Sequence, residues 1–220
     1  MLFVKHMKKK CLVFIIFTKI GGMKMRNAKD DRRVKYTKMV LKESFIKLLE
    51  EKDISQISIK EICLDADINR ATFYSHYNDQ YDLFRKIEDE LLDNIKAQIA
   101  AFGQKNTEVN AILLAEKLFE YIKENARLCK LLLSERGDFN FQKKIMMLVY
   151  DMIISELTDN NKITKEDAEY VYSFTITGCV GIVQKWLDDD LKKSPYFMAE
   201  MVVNLTVGLI SLLKSRTFIN

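Results

Sequence analysis

Residues 57–84, ISIKEICLDADINRATFYSHYNDQYDLF, decide how this chain is read. Ser58-Ile59-Lys60-Glu61 has the form of a capping box. A serine hydroxyl there can accept from the backbone N–H three residues on, and the glutamate can reach back. The short helix expected to follow buries Ile59, Ile62, Cys63 and Ala66 at spacings of three and four. Asp65-Ala66-Asp67-Ile68 breaks it, and Asn69 is a strong N-cap for a second short helix, Arg70 to Tyr77. Asn78-Asp79 then cap a long helix over residues 80–102, with Leu83, Phe84, Ile87, Leu91, Ile95 and Ile99 as its apolar stripe. Upstream, Val34 to Glu51 reads as an amphipathic helix carrying Leu41, Phe45, Leu48 and Leu49. Two short helices joined by a tight turn, with a longer helix in front, make the helix-turn-helix pattern.

The remaining periodicity predicts helices over residues 108–124, 126–134, 138–158, 165–188 and 195–214. Thr164 caps one start, and Glu166 and Asp167 suit its positive end. Ser194-Pro195 opens the last, with proline at the first helical position. The chain of 220 residues has only 7 Gly and 1 Pro, too few for the turns of an all-β fold. With 48% hydrophobic and 30% charged residues it has the composition of a folded globular protein. The expected fold is all-α: a three-helix helix-turn-helix domain over 25–78, then a helical regulatory and dimerisation domain over 79–220.

Residues 1–24 stand apart. KKKCLVFIIFTKI (8–20) pairs a basic cluster with an apolar run too short to span a bilayer, and no small-residue cleavage site follows. We read it as an upstream stretch translated from an early start codon, with the true start at Met23 or Met25. This leader distorts the charge of +4: six of the 35 basic residues and none of the 31 acidic ones fall in it, leaving 29 against 31, or −2. The overall charge therefore says nothing about nucleic acid, whereas its local distribution does. Arg26, Lys29, Arg32, Arg33, Lys35, Lys38 and Lys42 stand against Asp30, Asp31 and Glu43.

The 57–84 segment resembles the DNA-binding domain of the TetR/AcrR family of bacterial regulators. The match runs from about Arg32 to Leu92 and is most specific at Arg70-Ala71-Thr72-Phe73-Tyr74 followed by His76-Tyr77. TGCVGIVQKWLDDDLKKSP (177–195) is similar, less specifically, to the regulatory domain of one branch of that family. Two departures are visible. Gln80 stands where family members commonly carry lysine, and Asp67 where the turn usually has glycine.

A recognition helix presents its N-terminal residues to base edges. Arg70 can contact guanine or a phosphate, Thr72 a thymine methyl or a phosphate, and Ala71 is small enough for close approach. Tyr74 and His76 can donate to phosphates; for His76 a plain solvated role is the alternative. The resemblance implies backbone contacts from Thr37, from Tyr74 and from the start of the long helix at Gln80. Lys38, Ser58 and Asn69 complete the candidate DNA-binding set. The basic arm Arg26 to Lys35 reads as a solvated tail or as a minor-groove or phosphate contact. Phe73, Ile68 and Tyr77 are expected to be packing residues.

No catalytic, cofactor or metal motif is present. The chain has 2 His, and no HExxH, CxxC, P-loop or dinucleotide-binding glycine pattern. Asp188-Asp189-Asp190 reads as a solvated helix end. The 4 Cys (Cys11, Cys63, Cys129, Cys179) read as reduced core residues of a cytoplasmic protein, with disulfides as the alternative. The last two helices are apolar on too many faces for surface helices. The resemblance implies that they pair with a second copy, and Gly178 and Gly181 then allow close helix approach or leave room for a ligand; an ordinary core helix is the alternative. Ligand-binding residues are not identifiable, with Phe119, Met147, Phe174 and Gly178 as weak candidates. The expected partners are a palindromic double-stranded DNA operator, a second copy of the chain and a small-molecule effector, with no cofactor and no membrane. The rival is a family-like coactivator that acts through protein contacts and binds no operator itself.

Overall fold

The computed structural model describes residues 28–102, 108–134, 139–158 and 163–215. Among the described residues there are nine α-helices: α1 (Ala28–Glu51), α2 (Ile59–Asp65), α3 (Arg70–Tyr74), α4 (Gln80–Phe102), α5 (Glu108–Glu124), α6 (Ala126–Leu133), α7 (Phe139–Thr158), α8 (Lys165–Asp188) and α9 (Pro195–Ser215). A 3-10 turn, Ile54–Gln56, joins α1 to the loop before α2. The fold is all-α, as expected. The leader, Cys11 and Arg26 lie outside the described residues. No described helix is long and apolar enough to cross a membrane.

The chain divides into two compact units between Leu83 and Phe84. In the first, α1 packs on α2 and α2 on α3. Leu41, Phe45 and Ile46 of α1, Ile57, Ile62 and Cys63 of α2 and its lead-in, Phe73, Tyr77 and Leu83 are buried. Ile59, Ala66 and Ile68, expected in this core, are only half-buried.

Local signals set most element ends. Ser58 Oγ accepts from the Glu61 N–H at 3.3 Å, and Glu61 Oε2 accepts from the Ser58 N–H at 2.9 Å, so the capping box is complete. Asn69 Oδ1 accepts from the Ala71 N–H at 2.9 Å. Two carboxylates close the start of α4: the Asp82 N–H donates to Asp79 Oδ1, and the Asn78 N–H to Asp82 Oδ2. The turn after α2 is a Schellman closure, with the Ile68 N–H on the Cys63 carbonyl and the Asp67 N–H on the Leu64 carbonyl. Asp67 takes the left-handed conformation, φ 52°. That is the position where glycine is usual, and aspartate meets the requirement at some cost.

Two expectations are corrected. α1 begins at Ala28, six residues before the expected Val34, so the arm from Ala28 onward is helix and not extended chain. Polar helix formers carry no apolar period, which is why the start was missed. α3 ends at Tyr74 rather than Tyr77, because Ser75 takes the C-cap and its hydroxyl donates to the Thr72 carbonyl at 2.7 Å. His76 and Tyr77 follow in a turn whose N–H groups both reach the Phe73 carbonyl at 2.9 Å.

In the second unit α5 packs along α9, and α8 against α6 and α7. One cluster gathers Ile154, Leu157, Ile163, Ala168, Tyr172 and Ile176; another joins Phe119, Trp186, Met198 and Ala199. The Phe119 and Trp186 rings meet edge to face at 5.3 Å, and the indole N–H donates to the Lys193 carbonyl at 3.0 Å. The carbonyl of Leu133, in the last turn of α6, accepts from the amides of Gln184 at 2.5 Å and Gln142 at 3.4 Å. Those bonds satisfy one of the acceptors a helix end leaves open. A second Schellman closure ends α8: the Leu191 N–H reaches the Trp186 carbonyl, the Asp190 N–H reaches the Leu187 carbonyl, and Asp190 has φ 54°.

Candidate nucleic-acid interface

α3 is five residues long, and its two faces have opposite characters. Phe73 is fully buried, and its ring lies 5.5 Å from Tyr77 and 5.7 Å from Tyr74. Asn69, Arg70, Ala71, Tyr74 and Ser75 are exposed, and Thr72 is half-buried. One buried aromatic thus anchors a helix too short to be stable alone, and the anchor sets which residues face outward. The Asn69 carbonyl side of its amide is committed to the cap; the other half of that amide is a donor, the polarity a phosphate oxygen requires.

The other candidates are distributed around this helix. Thr37 is half-buried and Lys38 exposed on α1, while His76 and Gln80 are half-buried. Ser58 is exposed, but its hydroxyl proton goes to Glu61 Oε2 at 2.7 Å. A phosphate contact from Ser58 would compete with that bond.

Two ion pairs brace α2 against α1, one at each end. Lys52 Nζ lies 2.5 Å from Glu61 Oε1 at the start of α2, and Lys47 Nζ lies 2.5 Å from Asp65 Oδ1 at its end. Hydrogen bonding from Lys52 first, and from Ser58 second, holds the Glu61 carboxyl down at about 2. Lys47, then Ser44, lowers Asp65, while Asp65 raises Lys47. Burial pushes the Cys63 thiol up, so it stays a neutral core group. Sequence reading missed Lys47 and Lys52, because partners 18 and 9 residues away leave no periodic signal.

The ligand candidates do not share one enclosed lining. Phe119 is in the core beside Trp186, whereas Met147, Phe174 and Gly178 are exposed. No group of three or more metal-ligating side chains was found among the described residues. Asp189 of the acidic run pairs with Lys185 at 2.6 Å, and Asp188 with Lys130 at 3.5 Å. Cys63, Cys129 and Cys179 are free thiols.

The TetR family described as "Transcriptional regulator C-terminal region" matches residues 110–208. The Bacillus subtilis protein named HTH-type transcriptional regulator YxbF is 24% identical over 173 residues, covering 75% of this chain and 43% of that protein. The chain thus spans less than half the length of the curated relative it matches. Among solved structures, the dihydroxyacetone kinase operon activator DhaS aligns with a TM-score of 0.54 at 18% identity, over 80% of this chain and 97% of that one. FadR of Bacillus subtilis, solved with stearoyl-CoA, aligns with a TM-score of 0.57 at 17% identity, over 77% of this chain and 97% of that one. At these identities the structural likeness is one of fold.

Proposed function

We propose that the chain, similar over residues 110–208 to a TetR-family regulatory region and over 173 residues to an HTH-type regulator, is a transcriptional regulator that binds a palindromic operator as a homodimer and represses transcription until an effector releases it. The observation that carries this reading is the division of α3. Phe73 fixes the helix from inside, while Asn69, Arg70, Ala71 and Tyr74 face outward at its N-terminal end and along one side. Arg70 reads a base edge, Thr72 touches a thymine methyl or a phosphate, and Tyr74, Thr37 and Lys38 hold the backbone. Gln80 replaces a cation by a neutral donor, which weakens that contact.

Dimerisation through α8 and α9 is supported by what these helices leave outside. Phe174 is 72% exposed and Leu205 59%, and Val207 is exposed beside them. A Cβ built on Gly178, Gly181 or Gly208 meets nothing within 4 Å. Nothing within the chain requires glycine there, although glycine in a helix interior is unfavourable by roughly 0.5–1 kcal/mol. A second copy approaching closely accounts for both features. Two recognition helices then lie about 34 Å apart in successive major grooves. The effector acts by binding better to a conformer with the wrong spacing. The complex of FadR with stearoyl-CoA supports a small molecule as that effector.

The test is selection of genomic fragments by the purified chain at two salt concentrations. An operator-binding regulator retains a discrete fragment at both. Retention of none supports the second reading, a coactivator acting through protein contacts; DhaS, of like fold, is named as an operon activator.

A further inference from the structure

α8 and α9 turn outward a surface without charge. Residues 170–184 and 201–213 contain no Asp, Glu, Lys or Arg. In α9 the exposed positions Phe197, Asn204 and Gly208 lie on one side, opposite Ala199 and Val202, which pack with Phe119 and Trp186. In α8 the exposed positions Phe174, Gly178 and Gly181 lie on one side, opposite the buried Tyr172 and Ile176. Thr206 lies beside the Cys179 thiol, which sets the register between the two helices. Gly178, Gly181, Asn204 and Gly208 are each less than one turn from that contact. The middle of the surface is therefore built of glycines and one asparagine, with Phe174 toward one end and Phe197 toward the other.

Asn204 is the odd member of this set. It and Gln184 are the only carboxamides in the two uncharged runs, and the Gln184 amide donates to the Leu133 carbonyl. The Asn204 amide makes no hydrogen bond among the described residues. Asparagine is also a poor helix former, so neither the core nor the helix requires it there. Under a second copy this amide loses its water, and a buried amide without a partner is costly. In a two-fold interface a residue near the axis meets its own counterpart. A carboxamide suits that meeting, because each side offers both a donor and an acceptor.

We infer that Asn204 sits at the two-fold axis of the homodimer, pairs with the same amide of the second copy, and fixes the register in which the two copies meet. The inference rests on the dimer proposed above and adds the residue that decides which partner the surface accepts. The glycines let the helices approach, and the aromatic rings supply apolar contact, but both tolerate sliding. A paired amide does not, since any other register leaves it buried opposite an apolar group.

The experiment uses the full chain, with sedimentation to measure assembly and mild oxidation by copper phenanthroline to measure proximity. A disulfide needs its two Cα atoms within about 7 Å. Asn204→Cys is expected to give a covalent dimer, whereas the parent and Lys117→Cys on the exposed side of α5 are expected to give none. No link in Asn204→Cys while the parent sediments as a dimer overturns the inference and leaves the dimer standing. Equal linking of Lys117→Cys also overturns it, since random collision then accounts for the product. Asn204→Asp places like charges at the axis and is expected to weaken dimerisation on the order of 100-fold; an unchanged dissociation constant overturns the pairing. Asn204→Leu is expected to associate at least as tightly as the parent but to form species larger than the dimer as well. A leucine variant that is purely dimeric overturns the register role. A parent that is monomeric fails the proposed homodimer and the inference with it.

Discussion

The Lys52 ammonium sits 2.5 Å from Glu61 Oε1, and the other oxygen of that carboxylate accepts from both the N–H and the hydroxyl of Ser58. One side chain therefore closes the N-terminus of α2 and ties it to the end of α1. Its ionised form accepts all three bonds, which is why its carboxyl is held at about 2.

This arrangement predicts an acid-sensitive first unit. A depressed carboxyl contributes stability that is present above its unfolded value of about 4.5 and is lost as pH falls toward about 2. Asp65, lowered by Lys47, acts in the same direction. The melting temperature by circular dichroism is expected to fall between pH 5 and pH 2.5, and to fall less in Glu61→Gln. An unchanged acid slope in that variant contradicts the assignment.

Arg70 and Phe73 are three positions apart in α3 and should fail in different ways. Arg70→Ala is expected to leave folding intact, relax sequence preference and weaken operator binding by roughly 1–3 kcal/mol. Phe73→Ala removes a fully buried ring and is expected to destabilise the first unit by about 3–5 kcal/mol. Denaturant melts and operator titrations of the pair separate the two roles, and a destabilised Arg70→Ala would refute the outward placement.

Asp67 sits at φ 52° in the closure between α2 and α3. A β-branched side chain is poorly accommodated there, so Asp67→Val is expected to lower the denaturant midpoint, a destabilisation on the order of 1–2 kcal/mol. Asp67→Gly relieves the strain but gains unfolded-state entropy, and is expected to change the midpoint little. Equal stability of the valine and glycine variants is the contrary result.

Phe174→Glu/Leu205→Glu adds two charges to exposed positions of α8 and α9. The double variant is expected to sediment as a monomer while the parent sediments as a dimer, with little loss of helicity. A parent that is monomeric at micromolar concentration removes the basis for the proposed pairing.

Trp186 is the only tryptophan and is buried against Phe119. Its emission is expected to be blue-shifted and to report the second unit alone. Phe119→Ala is expected to lower the fluorescence-detected denaturant midpoint, a destabilisation of about 3–5 kcal/mol.

The local features of this fold were legible in the chain itself. Ser58 with Glu61, Asn69 with Ala71 and Thr164 with Asp167 each join groups two or three residues apart, so their bonds follow from spacing. The helix-turn-helix pattern, the all-α class and most helix ends rest on such bonds and on apolar periodicity. What α1 does before its apolar period begins was not legible, since a polar run looks alike as helix or as tail.

Only tertiary packing decided the rest. Ile176 and Phe174 are both apolar, and two residues apart on α8; the first is buried by α7 and its neighbours, the second stands out in solvent. The helical period puts them on opposite faces, but neither period nor composition says which face is covered, because burial depends on which helix arrives there. The same holds for Lys47 and Lys52, whose partners are set by the crossing of α1 over α2. Short-range hydrogen bonds are written into the order of residues, whereas faces and ion pairs between distant residues exist only once the helices have packed.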